Sequence, residues 1–123
     1  MTAYLHNDVF DNGLSTLTSN VETLYILSAD PGLTWANIAT YALGSKSGPT
    51  VASPSDRSAG GREVVVSAIT DGTVSATGTA TFFALTDDSA SKILAAGGMT
   101  SQVVTSGNPF TFSELRVGIP DPV

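Results

Sequence analysis

The chain contains no cysteine, which excludes disulfides, thiolate metal sites and thiol catalysis. It is also poor in charge: only 13% of its 123 residues are charged, about half the usual share. The basic residues number 5 against 11 acidic ones, for a net charge of −6, and Lys46, Arg57, Arg62, Lys92 and Arg116 are scattered along the chain. Nucleic-acid binding requires clustered cations to neutralise phosphates, and anionic lipid attracts basic segments. Neither partner is expected. No apolar run approaches the roughly 20 residues of a membrane span. Residues 1–20 lack the basic start and apolar stretch of a secretion signal, so synthesis and folding in a cytoplasm are expected.

What is present suits one modest globular body. Hydrophobic residues make up 41% of the chain, which excludes a disordered acidic tail. A chain of this length is expected to bury roughly two-thirds of its extended surface on folding. Its surface must consist largely of Ser, Thr, Gly and Ala, which suits close contact with neighbours because few charges need desolvating. The expected organisation is an N-terminal helix or arm over 1–20, followed by a single β domain over 21–123.

Leu5, Val9, Phe10 and Leu14 recur at helical spacing. Asn7 or Asp8 is a candidate cap and Gly13 a candidate terminator; an extended arm docking on another subunit is the alternative. Val21–Ser28 reads as a buried strand, stopped by Asp30-Pro31-Gly32. Thr34 is expected to cap a helical turn that faces Trp35 and Ile38 inward, and Tyr41–Gly44 a short strand. Ser45–Gly61, rich in Ser, Gly and Pro, is expected to be a long binding or flexible loop. From Arg62 onward, period-two alternation dominates. Asp71-Gly72 is the strongest hairpin signal in the chain, with a strand expected from Val74 to Leu85. Gly97-Gly98 is expected to end a strand over Lys92–Ala96. Gln102–Thr105, Phe110–Phe112 and Leu115–Ile119 complete a set of seven or eight short strands. Turn signals about every ten residues point to a mainly β fold, an antiparallel sandwich or barrel.

Residues that carry chemistry elsewhere have plainer readings here. His6 has Asp8 and Asp11 nearby in sequence but no nucleophile motif, so a surface or capping role is expected. Asp87-Asp88 lacks the ordered ligand set of a calcium loop and reads as a turn in which Asp bonds its own backbone. Ser58–Arg62 lacks the Gly-Lys-Ser/Thr ending of a phosphate loop. The expectation is no enzyme activity, no cofactor and no metal. The nine aromatics are expected mostly in the core. Successive strand residues point to opposite faces, so Phe82 and Phe83 cannot both point inward, and one of them is a candidate contact residue.

Four stretches together carry a resemblance: Tyr4–Leu14 (Tyr-Leu-His-Asn-Asp-Val-Phe-Asp-Asn-Gly-Leu), Thr77–Asp87 (Thr-Gly-Thr-Ala-Thr-Phe-Phe-Ala-Leu-Thr-Asp), Val104–Phe112 (Val-Thr-Ser-Gly-Asn-Pro-Phe-Thr-Phe) and Ile119–Pro122 (Ile-Pro-Asp-Pro). Over most of its length the chain resembles small virion proteins of tailed bacteriophages and prophages, especially those of alphaproteobacteria. These motifs are turn and strand patterns without a catalytic signature. The resemblance implies a capsid decoration (cement) protein on the outside of the major capsid protein shell, a homo-oligomer (a trimer among the options). It would be made in the host cytoplasm and located on the virion. Tyr4, Leu5, Val9 and Phe10, with Phe82 or Phe83, are the expected contacts. A small tail, neck or fibre-attachment component is the alternative within the virion, and a carbohydrate-binding β-sandwich module the alternative outside it.

Overall fold

A computed structural model describes the chain from residue 7 to residue 120, with side chains from Asn12 onward. It is mainly β. In chain order the elements are α1 (Asn7–Asn20), β1 (Thr23–Leu27), α2 (Ala36–Tyr41), β2 (Ala42–Ser47), β3 (Ser55–Asp56), β4 (Arg62–Val66), β5 (Ile69–Val74), β6 (Gly78–Asp87), β7 (Lys92–Val104), β8 (Pro109–Phe112) and β9 (Leu115–Ile119). Six strands form one antiparallel sheet in the order β7-β6-β1-β2-β5-β8, and β3-β4-β9 form a second, smaller sheet.

β1 lies at the centre because it is apolar on both faces. Leu24 and Ile26, each 0% exposed, join a core with Leu43, Val66, Phe83, Leu85, Phe110 and Phe112. Leu27 points to the other face, where Ile38 of α2, Ala84 and Ile93 cover it together with Trp35 and Phe82. The large sheet is therefore buried on both sides near β1 and β6, which accounts for the unbroken apolar run Phe82–Leu85. The sheet also curls. Phe83 on β6 and Phe112 on β8 are four places apart in strand order, yet their rings meet edge to face at 5.5 Å.

Several expectations are corrected. The helix does not end at Gly13; α1 continues to Asn20. Leu14 and Leu17, buried on Val64 of β4 with Val21 alongside, outweigh the roughly 1 kcal/mol that an exposed helical glycine costs relative to Ala. Thr34 does not cap α2: the residue before the helix is Trp35, and no side chain bonds its first turn. Ser45–Gly61 is not a free loop. It completes β2, forms β3, and is tied by backbone bonds to β4 (Ala52 N–Val65 O, 2.9 Å) and to the residue that follows it (Ser67 N–Thr50 O, 2.9 Å). Asp71-Gly72 makes no hairpin; both residues lie inside β5. Val74 ends β5 and does not begin the next strand. Gly97-Gly98 does not end a strand, because β7 runs unbroken for 13 residues. Among the described residues the strands number nine, the shortest of two residues.

Candidate functional site: an open seam between two edge strands

β7 and β8 are the two ends of the six-strand order, yet only residues 105–108 separate them in the chain. The link is a tight turn: Asn108 N bonds Thr105 O at 3.0 Å, and Gly107, at φ 90°, donates its N–H to Val74 O. The curl thus brings the two edges together like the arms of a splayed hairpin. Gln102, two residues before the end of β7, and Thr111, two after the start of β8, stand opposite one another. They are joined by side chains, Gln102 Nε2 donating to Thr111 Oγ1 at 3.3 Å. Among the described residues no strand pairs with the outer edge of β7 or β8.

Beyond this bridge the arms diverge around a cleft of about 380 Å³. Gly98–Gln102 form one wall and Thr111–Leu115 the other, with Phe83 and Phe112 lining it from the core. The lining mixes hydroxyl, amide and apolar groups with one carboxylate, Glu114, which Arg116 holds at 3.0 Å. One polar atom stands out: Gln102 Oε1 is buried and has no hydrogen-bond partner. Leaving a buried acceptor unmade costs about 1–3 kcal/mol, and such groups are few in native folds.

The edge carries irregularities but little charge: the β6–β7 register shifts twice, with the extra residues on β7 at 94 and at 99–101. Natural edge strands are commonly protected by Lys, Pro, shortness or bulges. β8 is short and begins with Pro109. β7 is long, and after Lys92 at its start no charged residue occurs until Glu114. Val103 on this edge is 79% exposed. That charge-free run was the signal available in the sequence; composition by segment would have found it.

The residues singled out from sequence divide as follows. Tyr4, Leu5 and His6 lie outside the described residues, and Val9 and Phe10 sit on α1 with their side chains outside them. Phe83 is 8% exposed and lines the cleft; Phe82 packs on the opposite face against the cluster under α2. The fold therefore does not bring Phe82 and Phe83 together into one contact patch. Asp87 closes a turn on its own backbone, Oδ1 accepting from Ala90 N at 3.3 Å. Asp88 accepts from the hydroxyls of Thr23 at 2.5 Å and Thr86 at 2.7 Å, which ties the turn to β1. Glu22 Oε1 accepts from Ser89 N at 3.1 Å. Hydrogen bonds from Ser89, then contact with Asp87, hold the Glu22 carboxyl below its ordinary pKa. Among the described residues no group of three or more His, Cys, Asp or Glu side chains is arranged to hold a metal ion. Ser58–Arg62 forms a turn in which Gly60 N bonds Arg57 O at 2.9 Å. No described helix is long and apolar enough to cross a membrane.

A smaller hollow of about 200 Å³ lies beside α2, lined by Tyr25, Trp35, Ala36, Ile38, Ala39 and Ala42. It is mostly apolar, and Tyr25 and Trp35 are the only lining residues with a polar side-chain atom.

Compared with known proteins, the chain matches no family model, no curated protein and no solved structure.

Proposed function

We propose that this chain is a structural protein of a bacteriophage virion, a capsid decoration protein that adheres to the outside of the major capsid protein shell. The observation that carries this reading is the long, uncharged outer edge of β7 beside an open seam. An edge of this kind, uncharged along its length although bulged at two places, is a template for pairing with another chain. The resemblance of its turn and strand motifs to small phage virion proteins supplies the setting. Low charge supports it physically, because each contact buries few ions and repetition over a lattice turns weak contacts into stable decoration. Net negative charge disfavours adhesion to packaged DNA.

The test is stoichiometry on particles made by the phage or prophage that encodes the chain. Gel densitometry against the major capsid protein is expected to show copies in proportion to the shell, and immunogold is expected to label the head. Labelling confined to the neck or tail, in one small ring, favours the tail-component alternative. Absence from purified particles overturns the virion reading, and a glycan array with a specific hit would then favour the carbohydrate-binding module.

A further inference from the structure

We infer that the seam between β7 and the Thr111–Leu115 wall receives a single extended segment of another protein as an added β-strand. The inference rests on the assembly reading above and names the chemistry of the partner: uncharged, extended polypeptide with small or β-branched side chains.

Four observations carry it. The outer edge of β7 has free backbone donors and acceptors among the described residues, and strand addition takes its affinity from such groups. The cleft is lined by Phe83, Met99, Phe112 and Leu115, an apolar bed for the alternate side chains of an incoming strand that point inward. Gln102 Oε1 is a buried acceptor without a donor at the cleft wall, placed to take an N–H from an incoming backbone. Finally, no charge occurs between Lys92 and Glu114, and Glu114, the one charged residue of the lining, is already paired with Arg116 at 3.0 Å, so a charged segment would be desolvated there without a free counter-ion.

The geometry selects a lone segment over the sheet edge of a second folded copy. The cleft has two walls, and its volume of about 380 Å³ lies near the low end of the roughly 300–1,000 Å³ range of small-ligand sites. Paired strands lie about 4.8 Å apart. A folded copy that offered its own edge would bring that edge's neighbour into the space held by Thr111–Leu115. An isolated strand brings no neighbour.

The experiment tethers the probe to the full chain, so that weak affinity does not hide binding. A heptapeptide, Thr-Val-Thr-Val-Ser-Val-Thr, is joined to the C-terminus by a flexible Gly-Ser linker. The control carries proline at alternate positions, which removes backbone donors. Hydrogen exchange in residues 98–102 is expected to slow at least tenfold with the heptapeptide and to stay unchanged with the proline control. Gln102→Leu in the tethered protein is expected to recover at least threefold of that exchange while the untethered Gln102→Leu chain keeps its Tm. Should that variant fail to fold, the proline comparison still decides. Equal protection by both tethers, protection elsewhere, or no protection overturns the inference. So does an untethered chain that self-associates with 98–102 protected. Peptide capture without presence on particles keeps the seam and removes the virion reading; presence on particles with no protection does the reverse.

Discussion

The ring of Phe110 occupies the space where a β-carbon on Gly72 would stand: an ideal Cβ there falls 2.2 Å from Cε1 of that ring. The two residues face each other in the β5–β8 ladder, and Phe110 is 1% exposed at the centre of the core. Gly72→Ala therefore forces a buried ring to move. Overpacking of this kind costs typically 1–3 kcal/mol, and the rigid ring places this case at about 3 kcal/mol. Urea denaturation of Gly72→Ala is expected to show that loss. Adding Phe110→Leu to it is expected to recover part of the loss, because residues in contact do not behave additively.

The neighbouring glycines of β7 are expected to respond with opposite signs. Gly97 lies opposite Phe83 in the ladder, and a Cβ there meets that ring at 3.1 Å. Gly98 has nothing within 4 Å of an added Cβ and no positive φ. Gly98→Ala is expected to stabilise by about 0.5 kcal/mol, chiefly by restricting the unfolded chain. Gly97→Ala is expected to destabilise by about 1 kcal/mol as Phe83 shifts against Phe112. Thermal unfolding of the two variants side by side checks the difference in sign.

These glycines also mark what the sequence could and could not tell. The β-rich class, the buried strand at Leu24–Leu27 and the turn at Asp87 were legible, because alternation and turn chemistry are local. Asp71-Gly72 and Gly97-Gly98 read as punctuation because a glycine in a strand signals either a turn or a close approach by another group. Only the approach of Phe110 and Phe83, set by tertiary packing, distinguishes the two. Gly13 was misread for the converse reason: burial of Leu14 and Leu17 on Val64 carried the helix past a weak position. The charge-free run of β7 was legible in composition, but the seam it borders was not. It depends on β7 and β8, adjacent in the chain, lying at opposite ends of a curled sheet, and strand order is not written in any one segment.

Glu63 is 5% exposed, and its carboxylate accepts from Arg116 Nη1 at 2.9 Å. Arg116 reaches it across the β4–β9 pair and also holds Glu114 at 3.0 Å. Arg116→Ala leaves a buried carboxylate without its partner. Breaking a fully buried pair costs about 3–5 kcal/mol. The Arg116 side chain is 59% exposed, so water screens the interaction and about 1–2 kcal/mol is expected. In a double-mutant cycle, Arg116→Ala is expected to cost measurably less in a Glu63→Gln background. An additive cycle would show that the pair contributes nothing beyond its separate parts.

Tyr25 offers a spectroscopic check on the face under α2. Burial, first, and the negative charge of Asp88, second, raise its phenol above the ordinary value of 10.0. A raised folded-state pKa favours the protonated form in the fold, so this contribution to stability is complete below about pH 10 and is lost as pH climbs through the higher folded value. Tyrosinate absorbance of the folded protein is expected to include one late-titrating group that disappears in Tyr25→Phe. Asp88→Asn removes only the lesser cause, so the group is expected to titrate somewhat earlier and still late. If Asp88→Asn returned Tyr25 fully to ordinary titration, charge and not burial would dominate at this site, and the packing of Trp35 and Ile38 over β1 would be looser than described.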